Sequence, residues 1–482
     1  MRRLSVAGML LGLGVMWATM PGFAADRSQP PPPTEPRPFV LPAVAEGALS
    51  NGIRVVVVES HEIPFVWVTL SISASPDQDP VGKEGLAMIT LDMLNEGAGA
   101  YDAAGLSGAL KALGSNLSSS VGSDGASVGI RSLSRNLGAT LDLMADVVLK
   151  PGFPASEWEI LQKQYLASLQ TDRSDPSLIA ARLLEQRVHG QSYRGRQLTE
   201  ASVKAIDPAA MRGWYDKELG PARATLLVGG DTTLAQVLPE LERRFGGWKG
   251  AAGAVEPLGA VPPVTQNTLF VAHKAGAAQS VIQAEVYVAA PTDADYFPLV
   301  VANHVMGGQF ASRINLNLRE KNGYTYGARS SVAFDRRGAR LSVSTSVKTD
   351  VTAAAMKELL YELNGPSTGR AFDATEVADA TSAIVSARPL RFESPEYLLR
   401  QLENISRYNL PSDWVSTYAA NVAAVDPPAA NDSWSRRMTQ DGALRPMVWV
   451  IVGDLTKIRE PLAGLGFPMV ELDVDGAELK GG

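Results

Sequence analysis

The chain has no cysteine and only four histidines among its 482 residues. The first absence excludes disulfide staples and a lipid-anchored N-terminal cysteine, so stability rests on packed cores. The second is as informative. His61, His189, His273 and His304 lie far apart, so no two can grip one zinc ion from adjacent turns of a helix. No basic cluster offsets the net charge of −7, which argues against a nucleic-acid partner. The apolar stretch from Val6 to Met20 is too short, and too interrupted by glycine, for a comfortable membrane span.

That stretch follows Arg2 and Arg3 and precedes Gly22-Phe23-Ala24-Ala25. A charged start, an apolar middle and a small-residue end read as a secretory signal peptide over residues 1–24, cleaved after Ala24 by the general export route. Export without disulfides points to the periplasm of a bacterial envelope. Residues 25–44 are rich in proline and read as an extended lead-in.

An apolar content of 45% and a charged content of 20% are those of a soluble globular protein. The length predicts more than one core, and the chain repeats itself. Ala205-Ile206-Asp207-Pro208 opens a stretch that ends in Val228-Gly229-Gly230-Asp231. Ala424-Val425-Asp426-Pro427 opens one that ends in Val452-Gly453-Asp454. In both, Asp caps a helix, Pro occupies its first turn, and a buried strand follows. The copies are too distant for a solenoid and read as a duplicated domain. Residues 45–248 form the first copy and 265–482 the second. The Gly-, Ala- and Pro-rich segment 249–264 reads as the linker.

Within each copy helices and strands mix. Arg54–Glu59 and Val66–Ala74 read as strands, as does Asn116–Ile130; Gly85–Leu94, Ala103–Leu113, Leu137–Leu149 and Ser156–Asp172 read as helices. Ser156 and Glu159 predict a capping box. In the second copy Leu269–Ala272, Val281–Ala289 and Arg340–Ser346 read as strands and Phe297–Met306 as a helix. The fold class is α+β, with helices packed on one face of a sheet. His61-Glu62 falls in a solvated turn.

Two motifs carry the functional reading. Gly85-Leu86-Ala87-Met88-Ile89-Thr90-Leu91-Asp92-Met93-Leu94 and, further on, Leu113-Gly114-Ser115-Asn116 resemble the zinc-motif region of the M16 (pitrilysin/insulinase-like) peptidases. There, Gly-Leu-Ala-His-x-x-Glu-His-Met-Leu supplies two metal-binding histidines and a Glu that activates water. Here Met88 and Asp92 stand at the histidine positions and Leu91 at the Glu position. The resemblance places the third ligand, a Glu in the family, near Ser168. No metal is expected in this chain. Gly307-Gly308-Gln309-Phe310-Ala311-Ser312-Arg313 and Leu318-Arg319-Glu320-Lys321-Asn322-Gly323-Tyr324-Thr325-Tyr326 resemble the signature of the family's second domain. Arg319 and Tyr326 match its functional Arg/Tyr pair in type and spacing. A hydroxyl and a guanidinium beside a scissile carbonyl stabilise the charge that develops on oxygen.

The resemblance implies two homologous domains of the family's LuxS/metallohydrolase-like type. Each is an antiparallel-rich sheet packed with helices, and a linker joins the two as a clamshell. It also implies an extended peptide pairing with the strand Asn116–Val121. Some members split the work between two chains, one carrying zinc and the other the Arg/Tyr pair. The chain accordingly reads as the substrate-binding, zinc-free subunit of a periplasmic peptidase, inactive alone and paired with a zinc-bearing partner. The alternative is a peptide-binding or scaffold protein without peptidase activity.

Overall fold

In a computed structural model, the described residues are 42–479, apart from 75, 76, 78, 123, 251–260, 291, 393 and 394. The signal-peptide reading, nearly all of the proline-rich lead-in and most of the linker thus lie outside them. Among the described residues no helix is long and apolar enough to cross a membrane.

Two six-stranded sheets organise the chain. The first runs, edge to edge, Val44–Ala48, Arg54–Glu59, Ala224–Gly230, Phe65–Ile72, Gly125–Leu133, Asn116–Gly122. The second runs Thr325–Asp335, Gly338–Lys348, Gln279–Ala289, Val448–Gly453, Thr268–His273, Met469–Leu472. The topology repeats. Ala224–Gly230 pairs parallel with Arg54–Glu59 and antiparallel with Phe65–Ile72. Val448–Gly453 pairs parallel with Thr268–His273 and antiparallel with Gln279–Ala289. The α+β reading and the duplication are both visible in this pattern.

The duplicated Asp-Pro openings act as the sequence predicts. Asp207 accepts from the Ala210 amide at 2.7 Å and Asp426 from the Ala429 amide at 2.8 Å, each with proline in the first turn. Losing such a cap costs about 1 kcal/mol. Asp207→Ala and Asp426→Ala should therefore each lower the urea midpoint by an amount equivalent to that, with m unchanged. A midpoint equal to wild type would remove the caps from the account.

Some local readings are corrected. Asn116–Ile130 is two antiparallel strands that meet where Gly122 pairs with Gly125. The helix read from Ser156 starts at Ala155 with Pro154 at its N-cap and no side-chain cap bond, so the Ser156/Glu159 box does not form. The helix read as Phe297–Met306 is α-helical over Tyr296–Asn303, then widens into a π-helical turn over His304–Gly308.

Packing interlocks the halves. The helix Pro176–His189, from the first half, lies on the second sheet: Ile179, Leu183 and Val188 cluster with Val281, Val450 and Val452. Its counterpart, Pro395–Arg407, lies on the first sheet, where Leu398 and Leu399 join a cluster with Val56, Val58 and Leu227. Polar ties accompany the exchange. Arg407 donates to Ser71 at 2.9 Å, the Tyr408 hydroxyl to Asp124 at 2.8 Å, and Arg337 to Asp77 at 2.6 Å.

Candidate functional site

Gly85 precedes the helix Leu86–Met93 with φ +90°, and a Cβ there would collide with Leu198. Only glycine suits that entry. Asp79 caps the same helix, accepting from the amides of Gly85 at 2.9 Å and Ala87 at 3.0 Å. Burial pushes the Asp79 carboxyl up to about 7, against those two amide bonds and the Arg196 guanidinium, which pull it down.

This gives a sign. The folded-state pKa lies above the unfolded value of 3.8, so the folded chain holds a proton the unfolded chain has lost. Stability from this group is full below about pH 4 and lost as pH rises through about 7. Asp79→Asn keeps an acceptor without titrating. Urea unfolding at pH 5 and pH 8 should show a smaller loss between the two for the variant than for wild type. Equal losses would assign the pH dependence elsewhere.

The helix cannot serve a metal as the family's does. Met88 is half-buried and Leu91 is buried in the core, and neither offers an oxygen or nitrogen donor. Asp92 is the one donor at these positions, and it accepts a hydrogen bond from the Tyr165 hydroxyl. Burial raises the Asp92 carboxyl although that bond lowers it. Ser168, read as the third-ligand position, is exposed. Tyr165, one helical turn earlier on Ala155–Asp172, is the residue that meets Asp92. The difference is one helical turn along the same face: residues three apart are neighbours there, and the one nearer the N-terminus meets Asp92. Among the described residues no group of three His, Cys, Asp or Glu is placed to hold a metal ion. The residues present do not fit the family's zinc.

The neighbouring strand, Asn116–Gly122, is an edge strand whose side chains alternate between exposed and half-buried. Ser119 ties it to the degenerate helix, donating to the Leu91 carbonyl at 2.7 Å.

In the second half, Gly307 packs so tightly against Ser330 and Ile314 that a Cβ has no room. Arg313 staples the turn that follows, bonding both carboxylate oxygens of Glu376 and the carbonyls of Arg370 and Ala371 at 2.6–2.7 Å. The glycine pair and Arg313 thus build the frame. The strand Thr325–Asp335 is the free edge of the second sheet, and its register breaks between Thr325 and Ala328. Thr325 Oγ1 donates to the Ser346 carbonyl at 2.7 Å, and Asn315 Oδ1 accepts from the Ala328 amide at 3.0 Å. These bonds hold the bulge, and a bulge re-aims a side chain. Here it leaves Tyr326 89% exposed, with no hydrogen-bond partner for its hydroxyl among the described residues. Arg319 lies over the exposed Phe310 ring at 4.4 Å and reaches Glu320 at 3.3 Å. That ion pair is solvent-exposed and contributes little. A core role for Tyr326 is excluded by its exposure.

Comparison with known proteins identifies the framework. A family model described as Insulinase (Peptidase family M16) matches residues 54–205, and one described as Peptidase M16 inactive domain matches residues 205–380. The chain belongs to the M16 peptidase family. It is similar to the "Non-peptidase homolog YmxG" of Helicobacter pylori (strain ATCC 700392 / 26695), at 21% identity over 391 residues, 79% of this chain and 88% of that one. Among solved structures, a peptidase M16 inactive domain from Pseudomonas fluorescens superposes with a TM-score of 0.76 at 21% identity, covering 85% of this chain and 98% of that one. A protease from Helicobacter pylori gives a TM-score of 0.75 at 16% identity, covering 86% and 100%. This M16 chain carries the two-domain fold without the family's His-x-x-Glu-His residues.

Proposed function

We propose that this M16 chain is the zinc-free, substrate-positioning subunit of a periplasmic two-chain peptidase whose partner carries the zinc and the general base. The observation that carries the reading is the presentation of Tyr326 on a bulged edge strand, with Arg319 on the segment that leads into it. A side chain held out to solvent by a built bulge serves something outside the chain. Beside a peptide carbonyl on the partner's zinc, the Tyr326 hydroxyl and Arg319 guanidinium would donate to the oxygen as negative charge grows there, with no need to titrate. The open edge Asn116–Gly122 offers a further backbone surface for an extended peptide.

The test is purification from the native envelope, identification of the bound chain, and assay of each chain alone and of the mixture. Zinc-dependent cleavage that needs both chains supports the reading. A partner that cleaves equally well alone removes it. The Helicobacter pylori relative is called a non-peptidase homolog, and a scaffold role is the alternative for this chain. It expects no cleavage in any combination.

A further inference from the structure

A cavity of about 440 Å³ lies in the second half, between the π-helical turn His304–Gly308, the edge strand Thr325–Asp335 and the helices Ala374–Arg391, Pro395–Arg407 and Trp414–Ala423. Its walls include Tyr296, Tyr397, Trp414, Tyr418, Val332 and Ile384. These rings, with Phe334 and aliphatic side chains between them, suit a flat or branched apolar group.

The charged groups that line the cavity are of one sign, among neutral polar side chains such as Asn303, Ser330 and Gln401. Arg388 and Arg391 both line it, and among the described residues no carboxylate does. Arg388 is only 8% exposed. Its guanidinium donates to the Val415 carbonyl at 2.8 Å and lies 4.1 Å from the centre of the Tyr418 ring. It has no anionic partner among the described residues. Burial pulls its pKa down, and Arg391 adds to that. A desolvated cation is costly unless an anion compensates it. His304 adds a second unmet group: its Nε2 is buried without a hydrogen-bond partner among the described residues. It sits at the start of the π-helical turn, a distortion that often marks binding sites.

We propose that this cavity binds an apolar carboxylic acid, its body held among Tyr296, Trp414 and Tyr418 and its carboxylate taken by Arg388 and Arg391. The C-terminal residue of a peptide and a free arylalkyl acid share that chemistry. The inference does not depend on the proposed subunit role, because the cavity lies within this chain.

Calorimetric titration of the full chain tests it with four probes: N-acetylphenylalanine, its amide, and a hexapeptide ending in phenylalanine as the acid and as the amide. At least one acid should bind, and its amide should bind about tenfold more weakly or worse. Binding of the peptide acid alone identifies a peptide terminus as the source, and binding of the free acid identifies a small molecule. Arg391→Ala, at an exposed position, should weaken binding about tenfold with an unchanged circular dichroism spectrum. Arg388→Gln should do the same, and Ile384→Trp should block the cavity. If Arg388→Gln fails to fold, Arg391→Ala and the acid/amide contrast still decide. Acids and amides that bind alike, or no binding by any probe, would overturn the proposal and leave Arg388 a cation–π staple.

Discussion

Replacing Tyr326 by Phe is expected to slow zinc-dependent cleavage by the proposed two-chain peptidase about a hundredfold, the usual cost of one donor to a developing oxyanion. The substitution removes one hydroxyl from an exposed ring with no hydrogen-bond partner among the described residues, so stability should not move. Arg319→Ala should cost a similar factor. Its stacking on Phe310 is a surface contact, so the fold should tolerate the loss. Steady-state kinetics at saturating partner would locate the effect. A donor used only as charge develops lowers kcat and leaves KM nearly unchanged. A Tyr326→Phe complex within about threefold of the wild-type rate would be too active for an oxyanion donor, and the pair would then have no part in chemistry.

The second large effect concerns stability. Glu285, on the second sheet, accepts two bonds from Arg340 at 2.9 and 3.0 Å and lies 3.2 Å from His189 Nε2. His189 ends the first-half helix that crosses onto this sheet and is 0% exposed. The Tyr287 hydroxyl and Arg340 also reach Asp335, at 3.1 and 3.3 Å. Burial alone would raise the Glu285 carboxyl, but His189 and Arg340 outweigh it and hold it below its ordinary value. Glu285→Ala would leave the buried Arg340 guanidinium short of its counter-charge, a loss of about 3–5 kcal/mol. Urea unfolding at pH 7 measures it. Glu285→Gln, which keeps acceptors, should lose less. A midpoint unchanged in Glu285→Ala would mean that the network contributes nothing to holding the halves together.

How far the sequence could be read depended on how local each signal was. The duplication was legible because Asp207-Pro208 and Asp426-Pro427 write their caps in adjacent residues. The family frame was legible for the same reason, in Gly85–Leu94 and Leu318–Tyr326. Features set by three-dimensional phase were not. Ser168 stood where counting put it, but Tyr165, one turn earlier on the same face, is the residue that meets Asp92. The capping box at Ser156 lost to a helix that starts one residue earlier. Two strands were read as one because valines and serines continue through the Gly122 and Gly125 pair. The bulge that presents Tyr326 depends on Asn315 and Ser346, which no strand pattern reports. The cavity around Arg388 was missed altogether. Its only local signal was an arginine in a stretch of ordinary helical composition, and its significance depends on the lack of a carboxylate beside it among the described residues.

Neither the helix Pro176–His189 nor the sheet it covers was read from the sequence. That crossing makes the two halves mutually dependent. Each sheet is roofed by the other half's helix, so a half cut from the chain would bear a bare sheet face and an unplaced amphipathic helix. Such a piece has, in effect, a sticky end and a matching socket, and two of them could satisfy each other by trading helices. A duplicated gene whose product first paired with itself in this way, and was later joined end to end, would leave the interlocked arrangement seen here. After the joining, each copy could change alone, and one could lose its metal-binding residues while the other kept a tyrosine turned outward.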